Sequence, residues 1–362
     1  MSLFEKIITF VIKNKRVIKT EQVPMDEIDE IICLSNTAIG DTLFNTPIFR
    51  ALKSYFPDKK LTVVLNPNNA SLFETNPYIG EILLYDGKSK NFLSFLYRLK
   101  KKQPKLILLL HSNEPQATPL SVLAGAQYIL KVPNDKTKYN IWHTNPPTKF
   151  SGEYTVLDKL KQLKYLGIPD KRIRDCRMEL FLKEEWKEEV HKALPVKEGE
   201  RLIGFQIGAS HLSRMWFNDR WIELGKKLLE SKENIRIILT GAPSEQKITE
   251  EVASALNDDR VINCAGRFSL GGAAALIGKL DVLITPDTGP LHIAAALKTP
   301  TIALYAVMDH WITNPAFDKE IHLYIQKPKT CTPCVSRQCK FQECMLQISV
   351  EEVYEMFRQI IK

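Results

Sequence analysis

Short continuous apolar runs, separated by longer stretches of helical periodicity, recur along the chain. The first set falls at Ile31–Leu34, Leu61–Leu65, Ile82–Tyr85 and Leu106–Leu110. Continuous runs are what strands covered on both faces require, and their alternation with helix-compatible segments is the βαβα pattern of a parallel sheet. Residues 133–154 are rich in turn formers and lack periodicity, so they read as loop. A helix is predicted over Thr155–Leu166, stopped by Gly167-Ile-Pro169, and a charged one from Glu184 to Leu194, ended by Pro195. The alternation then restarts, with strands predicted at Leu202–Ile207, Ile235–Thr240, Val261–Cys264, Val282–Thr285 and Thr301–Tyr305. Helices are predicted near 218–231, 244–256, 269–280 and 290–297, and a closing one over 350–361.

A chain of 362 residues exceeds what one hydrophobic core usually covers. Two successive α/β sets therefore predict two domains, with the boundary near residues 183–200. Such domains place ligands in the cleft facing the carboxyl ends of the strands. No repeat of 20 to 50 residues is visible, which excludes a solenoid.

The amino-terminal stretch changes the picture in one respect. Leu3, Phe4, Ile7, Ile8, Val11 and Ile12 fall at helical spacing and are followed by Lys13, Lys15, Arg16 and Lys19. A secretory signal would carry its charges first, so the order argues against one. Two readings stand: an amphipathic segment lying on an anionic membrane surface, or a helix packed on the body of the protein. No apolar stretch reaches the roughly 18 residues of a membrane span. The net charge of +8 suits an anionic ligand or a membrane surface and is too weak to indicate nucleic acid. Seven cysteines, an odd number, point to a reducing compartment and a cytoplasmic location.

Four strand-to-helix turns hold the candidate chemistry. Ser35-Asn-Thr-Ala-Ile-Gly40-Asp41-Thr42 follows the first strand; Gly40 allows a tight turn, and the helix start exposes N–H groups that suit an anion. Asp41 is also a common kind of first-turn helix residue, and taken alone that reading is the stronger. The segment is not a GxGxxG fingerprint, which weakens any dinucleotide-dependent oxidoreductase. Thr285-Pro-Asp287-Thr288-Gly289-Pro290-Leu-His292 offers a hydroxyl, backbone donors and a proline preset for the first helical turn, so a phosphate site is the better reading there. Asp287 could orient donors or bond a ribose hydroxyl, and His292 could face the phosphates or pack. Gln206-Ile-Gly208-Ala209-Ser210-His-Leu-Ser213-Arg214-Met-Trp216 combines small residues with a guanidinium fork suited to a pyrophosphate, Trp216 reading as core. In Thr240-Gly241-Ala-Pro-Ser244-Glu245, the glutamate could take two ribose hydroxyls or simply open a helix.

Together these residues carry a resemblance. Ile39-Gly40-Asp41 with Thr46-Pro47 and the following Arg-Ala-Leu-Lys resembles the amino-terminal signature of glycosyltransferase family 9, the ADP-heptose:lipopolysaccharide heptosyltransferases. Asn76-Pro-Tyr-Ile with Glu81-Ile-Leu, and Asp287-Thr-Gly-Pro-Leu-His292 through Thr299-Pro300-Thr-Ile-Ala-Leu-Tyr305, are similar to later stretches of the same family. The likeness runs in order from about Glu30 to the carboxyl end. It implies an α/β GT-B fold, two Rossmann-like doubly wound domains facing across a cleft. The expected division is an amino-terminal extension over 1–28, an acceptor-binding domain over 29–190, a nucleotide-sugar domain with a cysteine-rich tail over 191–348, and a terminal helix over 349–362.

The resemblance further implies an inverting, metal-independent transfer of heptose from ADP-L-glycero-D-manno-heptose to the Kdo/heptose inner core of lipopolysaccharide. The acceptor would be an anionic lipid A/Kdo-type glycolipid met at the cytoplasmic face of the inner membrane. Asp41 would be the general base, with Gly40 beside it on the acceptor side. Ser210, Arg214, Glu245, Asp287, Thr288, Gly289 and His292 match donor positions, and Phe268 stands where an apolar residue meets the adenine. The family usually has lysine where this chain has Arg214, which keeps the charge and changes the geometry. Nothing in these motifs reads the heptose itself, so another nucleotide sugar for a different envelope glycan is the alternative. A binding protein without turnover would have to lack the base, which is present.

Two features lie outside those motifs. Cys331-Thr-Pro-Cys334, Cys339 and Cys344 could form a tetrahedral structural zinc site or remain reduced thiols in a tight loop; no catalytic role is expected of them. The stretch Lys88 to Lys105 holds seven basic residues and no acid, interleaved with Phe92, Leu93, Phe95, Leu96 and Leu99. It predicts an amphipathic helix whose Lys100, Lys101 and Lys102 either meet an anionic acceptor or are a solvated face.

Overall fold

The computed structural model describes residues 3–111, 116–194, 196–231 and 234–361. It divides into two compact units, one up to Met178 and one from Glu179 onward. Each is an open parallel sheet with helices on both faces.

The first unit begins with α1 (Leu3–Ile12) and then alternates β1 (Glu30–Ser35), α2 (Ile39–Leu43), α3 (Thr46–Tyr55), β2 (Lys60–Leu65) and β3 (Glu81–Leu84). It continues with α4 (Phe92–Lys101), β4 (Leu106–Leu109), α5 (Ala117–Ala124), β5 (Tyr128–Lys131) and α6 (Thr155–Leu160), which passes into a 3-10 turn over Lys161–Leu166. The strand order is β3-β2-β1-β4-β5, every pair parallel, with Ile31 beside Leu106 and Leu34 beside Leu109. The continuous apolar runs become strands covered on both faces: β1, β2 and β4 are buried along almost their whole length. Chain direction reverses its spread between β1 and β4, so the topological switch point lies at their carboxyl ends.

The second unit holds α7 (Glu184–Ala193), β6 (Arg201–Gln206), α8 (Asn218–Leu229), β7 (Ile235–Thr240), α9 (Gln246–Leu256) and β8 (Val261–Asn263). After these come α10 (Leu270–Lys279), β9 (Val282–Pro286), α11 (Gly289–Ala296), β10 (Thr301–Tyr305), α12 (His310–Thr313), β11 (His322–Gln326), α13 (Glu343–Leu346) and α14 (Val350–Ile360). The order β11-β10-β9-β6-β7-β8, all parallel, puts the switch point between β6 and β9. Trp216 and Trp221, ring centroids 5.0 Å apart, fill the core on one face beside Phe205, and α14 closes that face with Val353 and Phe357. Trp216 is thus core, its indole N–H donating to Ile348 O at 3.1 Å.

Three boundaries differ from the sequence expectation. The units divide at 178/179 instead of 190/191, because α7 packs on α10: the Trp186 ring lies over Gly271, where an added Cβ would come within 2.1 Å of it. Pro195, expected to end α7, lies outside the described residues, as do Met1 and Ser2 of the amino-terminal segment. That segment is no separate extension. Ile8 and Ile12 of α1 are buried in the first unit's core, and Phe4 meets Phe92 edge-on at 5.2 Å. Its other face exposes Ile7, Phe10 and Val11. Among the described residues no helix is long and apolar enough to cross a membrane. Likewise α14, expected as an independent terminal element, is part of the second unit's core.

Candidate functional site

In the first unit the connection after β1 is built around Asp41. Ala38, not Asp41, occupies the cap position of α2, and Asp41 projects from its first turn, exposed. Among the described residues no donor is hydrogen-bonded to its carboxylate, so capping does not account for the residue. The short helix itself is pinned. Thr42 Oγ1 donates to Ser35 O at 3.2 Å, Asn45 Nδ2 donates to Ser35 Oγ at 2.7 Å, and Lys159 Nζ donates to Asn45 Oδ1 at 2.8 Å. Lys159 also reaches Asp41 O at 3.4 Å. Gly40, half-buried, opens the same turn.

Three more polar residues stand at the carboxyl ends of neighbouring strands. His111, just after β4, lies 3.3 Å from Asn36 Oδ1, and Lys131, the last residue of β5, donates to His111 O. Burial, then the charges of Lys131 and Lys159, push the His111 pKa well below its usual value, so its ring is neutral. Lys159 is buried too, and that burial lowers its pKa to about 8, with Asp41 pulling the other way. Sequence reading found Asp41 and missed Asn45, His111, Lys131 and Lys159.

In the second unit the turns after β6 and β9 meet at the switch point. Arg214 Nη1 donates to Asp287 O at 2.8 Å and lies 3.4 Å from Asp287 Oδ2. Asp287 Oδ1 accepts from Thr313 Oγ1 at 3.3 Å and sits 3.9 Å from His292 Nε2. Asp287 therefore orients donors around it, and His292 is buried against it inside α11. Thr288 stands at the cap position of α11 with its hydroxyl 3.2 Å from Thr285 Oγ1, and Gly289 and Pro290 open the helix. Glu245 is set into a second notch of the same unit. Its Oε2 accepts from Ala242 N at 2.8 Å and from Gln206 Nε2 at 3.3 Å. Its carboxyl rests on Gly208, where a Cβ would come within 2.0 Å of Oε1. Only glycine permits that approach. Ser210 is exposed on the β6 turn and Phe268 is half-buried on the turn before α10. Arg214, Glu245, Asp287, Thr288 and Gly289 thus lie on turns and helix starts at the carboxyl edge of one sheet, with His292 behind them in α11, where a helix start and a guanidinium suit a nucleotide's phosphates.

Other expectations come apart. Lys102 pairs with Glu30 at 3.3 Å and with Glu81, residues that open β1 and β3. It belongs to the amino edge of the sheet, whereas Asp41 follows the carboxyl end of β1, roughly 20 Å of strand away. Lys100 and Lys101 are exposed on the last turn of α4, with Lys101 Nζ 4.6 Å from the Tyr97 ring centroid. The basic helix thus does not join Asp41, and Lys102 at its end is spent on sheet-edge ion pairs. Cys331, Cys334, Cys339 and Cys344 are free thiols that line one cavity of about 160 Å³. Among the described residues no group of three or more His, Cys, Asp or Glu is placed to hold a metal ion.

Two Rossmann-like units, each with polar residues at the switch point of its own sheet, are the pair of domains that a GT-B fold comprises. The sequence profile of glycosyltransferase family 9 (heptosyltransferase) matches residues 155–345. The chain belongs to that family. It is 27% identical over 292 residues to lipopolysaccharide heptosyltransferase 3 of Escherichia coli strain K12, covering 76% of this chain and 82% of that protein. Its fold is similar to that of a family 9 glycosyl transferase from Veillonella parvula, with a TM-score of 0.77 at 20% identity over 94% of this chain and 99% of that one. It is also similar to that of the E. coli ADP-heptose lps heptosyltransferase II, with a TM-score of 0.74 at 18% identity over 92% and 98%.

Proposed function

We propose that the protein transfers heptose from ADP-L-glycero-D-manno-heptose to the Kdo/heptose inner core of lipopolysaccharide, with inversion at the anomeric carbon. The observation that carries the reading is the Arg214–Asp287 contact at the start of α11. It sets a fixed cation and the donors of a helix start at the switch point of one sheet. Charge that develops on a departing ADP is what such a constellation stabilises. Arg214 and the first turn of α11 would take the pyrophosphate, Glu245 the ribose hydroxyls, and Phe268 the adenine. Ser210 would flank the phosphates. Asp41 would accept the proton of the attacking hydroxyl as the new C–O bond forms and the bond to the phosphate oxygen breaks. The arginine and the helix dipole supply the positive charge, so the reaction needs no added cofactor. The similarity to proteins named for ADP-heptose and lipopolysaccharide supports the choice of donor and acceptor.

The acceptor is a membrane glycolipid, and the outer face of α1 suits peripheral attachment. Ile7, Phe10 and Val11 are exposed beside Lys6, Lys13, Lys15 and Arg16, an apolar face rimmed by cations that fits the anionic cytoplasmic leaflet.

The test is a panel of nucleotide sugars offered to the purified protein with a Kdo-containing lipid acceptor and EDTA present. ADP-heptose is expected to turn over. Transfer from a different nucleotide sugar alone would keep the family and discard the heptose.

A further inference from the structure

A buried lysine lies under the helix that carries the base. Lys159 sits on α6, and Phe44, at the end of α2, places its ring centroid 5.9 Å from the ammonium. The ammonium spends its donors on Asn45 Oδ1 at 2.8 Å and Asp41 O at 3.4 Å. Asn45 passes the contact on to Ser35 at the end of β1. A closed chain of hydrogen bonds thus ties α6, α2 and β1 together around the Asp41 backbone.

Hydrogen bonding alone does not require a cation there. An amide nitrogen could donate to Asn45 equally well, and taking an ammonium out of water is unfavourable unless an opposite charge offsets it. Among the described residues, the Asp41 carboxylate on α2 is the charge that acts on Lys159, and Lys159 in turn acts, with Lys131 of β5, on the neutral His111 after β4. Asp41 is the one anion among them, and it is the group whose charge counteracts the burial of Lys159.

We propose that Lys159 is a positioning residue for Asp41, fixing α2 through Asn45 and the Asp41 backbone and setting a buried positive charge under the helix that carries the base. The inference rests on the reading of Asp41 as the base. A nucleotide diphosphate brings negative charge to the reaction, which raises the proton affinity of any nearby carboxylate. A fixed ammonium opposes that rise. In the transfer step the acceptor hydroxyl gives its proton to Asp41 and its oxygen lone pair to the anomeric carbon, and ADP leaves with the bonding pair. Lys159 keeps all its protons throughout.

The experiment compares Lys159→Gln, which retains a donor to Asn45 without the charge, with Lys159→Arg, which retains the charge, and with Asp41→Asn. Each is assayed with whichever nucleotide sugar the wild-type protein turns over. We expect Lys159→Gln to lower kcat on the order of tenfold or more and to leave the donor KM within about threefold. The acid limb of its pH–rate profile should move upward by about one pH unit. Lys159→Arg should recover most of the rate and the wild-type limb. An unchanged limb in a folded Lys159→Gln protein overturns the inference. So does an equal loss in the Gln and Arg variants that tracks their loss of thermal stability, which would mark a purely structural pin. If Lys159→Gln does not fold, the acid limb of Lys159→Arg decides, and a shifted limb there contradicts the role of the charge. Activity surviving in Asp41→Asn removes the base reading and this inference with it. Activity lost there but kept in Lys159→Gln removes the inference alone.

Discussion

Arg214 donates to the main-chain oxygen of Asp287 at 2.8 Å, and the same nitrogen lies 3.4 Å from the Asp287 carboxylate. The contact ties the turn after β6 to the turn after β9 across the switch point of the second sheet. A fork with several donors can hold Asp287 and still present N–H groups to a phosphate, whereas an ammonium is a single point charge. Arg214→Ala should therefore lower kcat/KM by about 10² to 10³, as loss of a charged donor to a leaving group does. Arg214→Lys should recover part of that loss. Steady-state kinetics with calorimetry of ADP binding checks both, and a wild-type rate in Arg214→Ala contradicts the pyrophosphate role.

Lys102 is expected to matter for stability and not for the reaction. With Lys60 it flanks Glu81, and the bonds from Lys102 and then Lys60 hold the Glu81 carboxyl below its ordinary range. Lys102→Glu places a third acid beside Glu30 and Glu81. Because the cluster is part-exposed, the cost should be on the order of 1 kcal/mol, read as a lower Tm. The acceptor KM should stay within error. A raised KM at unchanged Tm would return the basic helix to the acceptor.

Acid should unfold the protein partly through its buried histidines. Burial lowers the pKa of His143 to about 3 and that of His322 to about 4. Unfolded, both groups would titrate near 6.5. Between those values the unfolded chain binds more protons than the folded one, so stability falls as pH drops from about 6.5 toward 3 to 4. Above about 7 the two contribute no pH dependence. His143 Nε2 lies 2.9 Å from Thr118 Oγ1, a bond that an amide can replace. His143→Gln should flatten the acid side of a Tm-against-pH curve, and an unchanged slope would show that other groups govern it.

Membrane attachment by α1 is tested with Phe10→Asp. Phe10 is 77% exposed while Ile8 and Ile12 hold the helix on the core, so the fold should survive the change. Wild-type protein should sediment with vesicles containing anionic lipid, and the variant should remain in the supernatant. Equal sedimentation of both contradicts the role of this face.

The core strands were legible because burial on both faces leaves an unbroken apolar run, as in Leu106–Leu109. β5 and β11 were not. β5 ends on Lys131, whose buried ammonium is satisfied by His111 O, an arrangement that no local pattern announces. β11 lies at an edge and reads His-Leu-Tyr-Ile-Gln, half exposed, without a continuous run. The same divide holds at the site. Asp41, Arg214 and Asp287 stand on turns with a recognisable strand-to-helix grammar. Lys159 lies in an ordinary-looking helix, and its partner Asn45 is 114 residues away. Nothing in Thr155-Val-Leu-Asp-Lys-Leu separates it from a surface lysine.

The central claim is that Asp41 takes the acceptor's proton. The most direct measurement is turnover by Asp41→Asn beside donor binding by the same protein. The substitution keeps the shape of an exposed side chain, so the fold and the second unit's turns proposed to hold the donor should be untouched. The account predicts a fall in kcat of about 10² or more, the scale of a lost general base, with the dissociation constant for ADP-heptose within about twofold of wild type. Turnover that survives the substitution would contradict it.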